Sequence, residues 1–188
     1  MKLPLFPLSS HLLPEGRLAL RIFEPRYTRM VKEVCANNGG FVVCMLNTSG
    51  NKQSNSHIFP LGTYCNVIDF DILKDGLLGI TVEGQYCVKI HNIATEPDGL
   101  RIGECEPCEI WSSSGNTYDL QSATNRLKEI YDKYPEVAKL YSELKFDEPE
   151  WVINRWIELL PVNAEQKQHF LHHGDTNRVV AYLNQLID

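Results

Sequence analysis

The sequence predicts an α+β protein, with a mainly antiparallel sheet or barrel that holds one inserted helix, followed by a small helical bundle. Two observations lead to this prediction. Over residues 1–111, short apolar stretches alternate with turns rich in proline and glycine, as in strands joined by turns. Over residues 118–188, the apolar spacing lengthens from two to about 3.6 residues, which is typical of helices. The polar segment 112–117 between them is predicted to be a linker.

The first part begins with two short strands, a helix and a buried strand. Apolar stretches at 2–8 and 17–23 predict the strands. In the following helix Pro25 lies near the first turn and Gly39 lies beyond the end. Its apolar face consists of Tyr27, Met30, Val31 and Val34. The continuous apolar run at 41–46 predicts a strand that is buried on both faces.

Two strand pairs follow, each with an Asp-Gly turn. After a polar loop at 47–57, apolar and polar residues alternate from Tyr64 to Ile72, which predicts a strand. Asp75-Gly76 predicts a hairpin, and the returning strand should break near Gly84. The segment 96–111 repeats the strand, Asp-Gly and strand pattern.

The second part contains several helices whose ends carry recognisable signals. Pro135 should interrupt the first helix, and a short second helix follows it. Asp147, with Glu150 three positions later, is predicted to cap the next helix. Asn163 should cap another, which Gly174 ends, and Asp175 begins the last.

Composition restricts the classes of partner. A hydrophobic content of 43% with 22% charged residues is ordinary for a globular protein. The net charge of −6 disfavours nucleic acid and anionic membranes as partners. Prolines interrupt the first residues, and no apolar run is long enough to cross a bilayer, so we expect a cytoplasmic protein. The six cysteines are then expected to be free thiols.

The usual signatures of catalysis are missing. The sequence has no G-x-S-x-G elbow for a nucleophilic serine and no Gly-Lys pair for a phosphate-binding loop. It also lacks a G-x-G-x-x-G dinucleotide fingerprint. We therefore predict no catalytic residues and no cofactor.

Three clusters could carry chemistry, but each has a simpler structural interpretation. Cys105 and Cys108 have metal or redox spacing but no second pair and no helix start. His169 and His173 are four apart, near the end of a helix whose dipole favours them. The third cluster does not have calcium-loop spacing, so it should be a solvated face; it comprises Asp69, Asp71 and Asp75. We predict no metal site.

Two separated motifs resemble the Lon protease N-terminal domain family. The first is LPLFPLSSHLLPEGRLALRIFEPRYTRMV at 3–31, and the second is LGTYCNVIDFDILKDGLLGITVEGQYCVKI at 61–90. The segment at 159–186 is similar to the helical extension of stand-alone bacterial members, so the resemblance spans nearly the whole chain. One departure lies at 85–88, where the family usually has an arginine.

The resemblance implies both a fold and a function. The fold is a PUA-like pseudo-barrel followed by helices, and the function is substrate binding without the ATPase and protease domains. The family motif also indicates candidate binding residues, for which a structural role is the favoured interpretation: Phe23, Glu24, Arg26 and Tyr27.

The leading functional hypothesis is a non-catalytic module that binds unfolded or exposed polypeptide segments or a folded protein partner. It requires an apolar groove or patch of several hundred Å². As an adaptor, such a module could serve protein quality control. The sequence does not indicate the oligomeric state.

Two alternatives belong to other classes. PUA-like RNA binding would need a basic patch formed by Lys2, Arg17, Arg21, Arg26, Arg29 and Lys32. A small-molecule or metal enzyme would use the cysteines or histidines.

Overall fold

The computed structural model describes residues 1–112 and 118–187. Two compact units are present, Met1–Cys108 and Glu109–Asp188. The first contains the strands and one helix, and the other described helices belong to the second, so the predicted α+β class is confirmed. Most of the predicted linker, residues 113–117, lies outside the described residues.

The first unit is a sheet that closes on itself. Its elements are β1 (Lys2–Leu8), β2 (Arg17–Ile22), α1 (Pro25–Ala36), β3 (Phe41–Leu46), β4 (Ile58–Ile72), β5 (Leu78–Thr95) and β6 (Arg101–Pro107). The strands are bonded in the order β2-β5-β4-β3-β1-β6, and β5 also pairs with β6. Only β1 and β3 run parallel among these pairs.

Both faces of the central strands are buried, as the apolar run of β3 predicted. Phe41 and Val43 lie in one apolar cluster together with Met30 of α1. Val42 and Cys44, which point the other way, lie in a second cluster with residues of β1, β5 and β6. Burial on both sides explains why β3 lacks the usual alternation.

The two Asp-Gly turns are confirmed as well. Gly76 has a φ of 82° and Gly99 a φ of 88°, a region that glycine enters without steric cost. Each glycine N–H donates to a backbone carbonyl three residues earlier, Leu73 and Glu96 respectively. These turns set the register of the strand pairs that flank them.

The structure differs from the prediction in the second half of β4. A register shift between Val67 and Asp69 leaves Ile68 without a partner in the ladder with β5. Because a bulge reverses the side-chain alternation, the single face predicted from Tyr64 to Ile72 does not exist. The end of β4 also runs past β3, whose pairing with β4 stops at Cys65.

The predicted break in β5 near Gly84 is also wrong. The strand continues through this point, and only Gln85 is passed over in its pairing with β4. Gly84 donates to the carbonyl of Gly16 and accepts from the N–H of Glu15. A Cβ atom at Gly84 would lie 2.4 Å from the carbonyl oxygen of Leu13, so this glycine permits a close backbone approach.

The second unit is built from helices around one whose central turns are buried. All residues from Trp151 to Ile157 are buried, including Arg155, whose Nε lies 2.8 Å from an Oε atom of Glu158. Trp111 donates from its indole to Asn154. The helices are α2 (Gln121–Lys133), α3 (Pro135–Ala138), α4 (Pro149–Leu159), α5 (Ala164–His173) and α6 (Thr176–Ile187).

The predicted helix signals hold with one exception. Asn163 accepts from the N–H of Gln166, and Gly174 ends α5 in the left-handed conformation. Asp147 does not cap α4, because Pro149 occupies the first helical position and makes Glu148 the cap residue. Glu148 provides no side-chain cap bond, so the predicted capping box is absent.

No helix among the described residues is both long and apolar enough to cross a membrane.

Candidate functional site

A pocket of about 430 Å³ lies in the first unit and contains the four candidate residues of the family motif. One part of its lining is apolar, and another part is cationic. The apolar part comprises Phe6, Pro7, Leu8, Leu20, Ile22, Phe23, Tyr27 and Leu46. The polar part comprises Arg21, Glu24, Arg26, Lys52, His57 and Arg101. Pockets with apolar walls and a few convergent polar groups are typical ligand sites.

The link between β2 and α1 places the motif at this pocket. Pro25 begins α1, and a proline disfavours the helical conformation of the residue before it, so Glu24 is extended with φ −82° and ψ 131°. Phe23, the residue before Glu24, has 67% of its surface exposed. An exposed phenylalanine beside an apolar pocket makes the surface suitable for an apolar ligand.

Arg26 ties the link to the second Asp-Gly turn. Its guanidinium pairs with Glu24 at 2.7 Å and donates to the carbonyl of Gly99 at 2.9 Å. The same group lies 4.8 Å from the centre of the Tyr27 ring. These contacts match the structural role that the sequence suggested for Glu24 and Arg26. The partly exposed pair should stabilise the fold by no more than about 1 kcal/mol.

Tyr27 forms part of the wall between the pocket and the core. Its ring packs edge-on against Phe6, with 4.2 Å between the ring centres. Burial raises the pKa of Tyr27, with Glu24 and Cys44 adding to the effect against Arg26 and Arg101. The hydroxyl is therefore protonated at neutral pH.

Lys52 of the 47–57 loop and Arg101, the first residue of β6, contribute a cationic side of the pocket that the sequence did not reveal. Arg101 donates to the carbonyls of Gly99 and Lys52 and to the side-chain oxygen of Asn55. All three acceptors are neutral oxygens. The segment 47–57 had been expected to be only a solvated loop, and nothing in its polar composition indicates that it delivers charge to a pocket.

His57 is the least expected member of the lining. It is only 6% exposed, and its Nδ1 has no hydrogen-bond partner among the described residues. Burial lowers its pKa, as do Arg101, Lys52 and Arg26, whereas a hydrogen bond to the backbone of Asn51 acts in the opposite direction. The position of His57 next to the apolar Ile58 was the one sequence signal of its burial.

A row of paired apolar residues runs from the floor of this pocket across the sheet; it is buried at Ile22 and Ile80 and exposed at its far end on β4. Leu20 and Ile22 of β2 pair with Ile80 and Leu78 of β5, which pair in turn with Phe70 and Ile72 of β4. Residues directly opposite one another in a ladder project from the same face. Phe70 and Ile72 are 72% and 67% exposed. Phe23 directly follows Ile22 and is 67% exposed, and we call Phe23, Phe70 and Ile72 the apolar strip.

A second pocket, of about 260 Å³, shares Leu20 with the first and is also lined by Ile80, by Asp69 and Asp71, and by Phe70 at the exposed end of β4. Its cation, Arg21, is paired with Asp75. This pocket is smaller, and none of the buried side-chain atoms without a partner belongs to its lining. The larger pocket is therefore the better candidate.

Burial keeps the two cysteines considered as an alternative site in the thiol form, and two of the alternative histidines lie side by side on the surface. Cys105 is buried in β6, and burial raises its pKa to about 11. Cys108 follows β6, and its pKa is also raised by burial. Both thiols are protonated at neutral pH, unlike the thiolates that redox chemistry and metal binding use. His169 and His173 lie with their ring centres 4.3 Å apart. The described residues contain no group of three potential metal ligands.

Carboxylates neutralise most of the basic patch that RNA binding would need. Arg17 pairs with Glu83 at 2.7 Å, and Arg21 pairs with Asp75. Arg29 is held by Glu33, Glu96 and Asp98 together. Since Arg26 pairs with Glu24, four of the six proposed cations are already matched, and nucleic acid is a poorer fit than an apolar ligand.

The chain is similar to one protein family and to solved structures whose names carry the same domain. The family model described as the ATP-dependent protease La (LON) substrate-binding domain matches residues 2–188. A Lon N-terminal domain protein from Xanthomonas campestris superposes with a TM-score of 0.75 and 26% identity, over 100% of this chain and 99% of that one. The N-terminal domain of a Mycobacterium avium complex Lon protease gives a TM-score of 0.64 and 12% identity, over 97% and 96% of the two chains.

No curated protein sequence matches the chain. The family match covers both units and agrees with the two motifs that suggested it. The chain therefore belongs to the Lon substrate-binding domain family.

Proposed function

We propose that the chain binds exposed apolar segments of unfolded polypeptides and does so without covalent chemistry. The observation that carries this proposal is the apolar strip, which continues the floor of the 430 Å³ pocket and leaves Phe70 and Ile72 mostly exposed. Burying one such side chain contributes about 1.5–3 kcal/mol to a complex. Family membership supports a role in substrate recognition.

The proposal can be tested with a reduced and alkylated protein that cannot refold. Its affinity for the chain is measured by fluorescence anisotropy before and after replacing Phe70→Ser and Ile72→Ser together. We expect binding to weaken about tenfold or more, because each tenfold loss corresponds to about 1.4 kcal/mol. Leu186→Ser is the control, since Leu186 is 49% exposed on α6 in the second unit. Unchanged affinity in the double variant would refute the proposed surface.

A second readout tests the non-catalytic part of the proposal. Polypeptide recovered after long incubation with the chain should have an unchanged mass, with or without added ATP. A cleaved or modified product that disappears when one side chain of the chain is replaced would contradict binding without chemistry.

An adaptor role in cytoplasmic protein quality control extends the same proposal. It requires that polypeptide held by the chain is passed to a separate protease. Degradation of a bound polypeptide by that protease should then be faster with the wild-type chain than with the Phe70→Ser, Ile72→Ser variant. Equal rates would leave a binding module without an adaptor role.

A further inference from the structure

We propose that the cationic side of the pocket binds the free C-terminal carboxylate of a polypeptide whose last residues are apolar. This inference rests on the proposed function and names a class of substrate for it. The carboxylate would lie near Lys52, His57 and Arg101, and the last side chains would lie against Leu20 and Ile22.

The charge of the lining is the first argument. Four cationic side chains line the pocket with a single carboxylate, Glu24, in a protein whose net charge is −6. Glu24 is committed to Arg26, and Arg21 has Asp75 as a partner outside the pocket. Lys52 and Arg101 therefore provide the excess positive charge.

Arg101 is prepared to accept an anion. Its three hydrogen bonds fix the guanidinium to the carbonyls of Gly99 and Lys52 and to Asn55. These acceptors orient the group without neutralising it, and arginine has five N–H donors in all. A guanidinium held in this way can offer its remaining donors to a carboxylate, which it recognises in a planar, bidentate geometry.

His57 supplies an independent argument. A buried polar atom without a partner is costly, so such atoms commonly indicate a missing ligand or water. His57 is more than nine-tenths buried, lines the pocket, and has an Nδ1 without a partner among the described residues. The same imidazole has a hydrogen bond to the backbone of Asn51. A carboxylate oxygen can accept from Nδ1 only when the imidazole is protonated, so the lowered pKa of His57 makes this contact stronger as the pH falls.

The apolar side of the pocket selects the rest of the ligand. A volume of about 430 Å³ is in the range of about 300–1,000 Å³ that small-ligand sites have. Leu20 and Ile22 continue into the apolar strip, which can hold residues further from the terminus. A phosphate or a short polar acid would leave this side of the pocket unfilled.

A pair of peptides tests the inference. Both carry an N-terminal fluorophore and end in the same apolar residues, but one ends in a free acid and the other in an amide. We expect the acid to bind at least tenfold more tightly, because hydrogen bonds from cations to a charged carboxylate are stronger than those to an uncharged amide. The difference should shrink as the salt concentration rises.

Variants assign that preference to the cationic side of the pocket. Arg101→Gln should bring the two affinities together. Lys52→Gln serves as a milder variant in case loss of the Arg101 contacts disturbs the loop. Arg126→Gln is the control, since Arg126 pairs with Glu129 on the exposed surface of α2. It should preserve the full preference for the free acid.

The outcomes separate this inference from the proposed function. Equal binding of acid and amide, with unfolded polypeptide still bound at the apolar strip, would overturn the carboxylate site alone. If the wild-type chain bound no polypeptide at all, both the carboxylate site and the proposed function would be overturned. Displacement of the peptide by millimolar inorganic phosphate would show a general anion site, and binding of dodecanoate without binding of any peptide would show a small-molecule site. Either result would contradict a site for polypeptide ends.

Discussion

His57 lines the pocket and is buried there, although the sequence does not indicate that it belongs to the candidate site. Phe23, Glu24, Arg26 and Tyr27 could be selected from the sequence because they form a recognisable motif. His57 could not be selected from the sequence in this way, because its burial depends on a loop folding back over the pocket. Long-range contacts of this kind leave no periodic signal in the chain.

The lowered pKa of His57 predicts a dependence of stability on pH. The unfolded chain takes up a proton near pH 6.5, whereas the folded protein takes it up only at a lower pH. The neutral form therefore stabilises the fold above about pH 6.5, and this stability is lost as the pH falls through the folded pKa. Hydrogen exchange of the β3 amides, followed from pH 7 to pH 5, should report a falling free energy of unfolding.

The contribution of His57 is isolated by substitution. His57→Gln should reduce the decline between pH 7 and pH 5, and His172→Gln, at an exposed position of α5, should not. An identical pH profile for wild-type and His57→Gln proteins would show that His57 is not responsible.

Among the elements, β4 departs most from what its sequence suggests. Its alternating pattern predicted a strand correctly, and the Asp-Gly turn after it is in place. The bulge at Ile68 could not be anticipated, because it depends on how β5 pairs with this segment. The result is an exposed sheet edge that carries large apolar side chains, a combination that usually promotes association.

Two aspartates protect that edge. The N–H of Leu73 donates to Leu77 across the hairpin, so by alternation the N–H groups of Phe70 and Ile72 point away from β5. They donate instead to the carboxylates of Asp69 and Asp71, at 2.9 and 2.7 Å. The predicted solvated face of carboxylates is thus present, with an additional role at the edge of the sheet.

Removing both carboxylates should therefore increase self-association. We expect the Asp69→Ala, Asp71→Ala variant to show concentration-dependent dimers or aggregates in analytical ultracentrifugation, in excess of the wild-type protein. Asp132→Ala, at an exposed position of α2, is the control for loss of negative charge. If the double variant sediments like the wild type, the carboxylates do not protect the edge.

For the whole molecule, the sequence predicted the order of elements and the change from strands to helices. Those features depend on local patterns, such as apolar spacing, Asp-Gly turns and the Asn163 cap. The closure of the sheet through β5 and β6, and the pocket, depend on pairing between distant segments. The fold could therefore be predicted from local patterns, whereas the site could not, because it depends on contacts between distant segments.

Mapping the surface that binds polypeptide tests the central claim most directly. Amide chemical shifts of the isotope-labelled chain can be followed while a permanently unfolded polypeptide is added. We predict that the largest changes occur at Phe23, Phe70, Ile72 and their neighbours Leu20 and Ile22. Changes confined to other surfaces, or no changes at concentrations that saturate the anisotropy assay, would contradict the account.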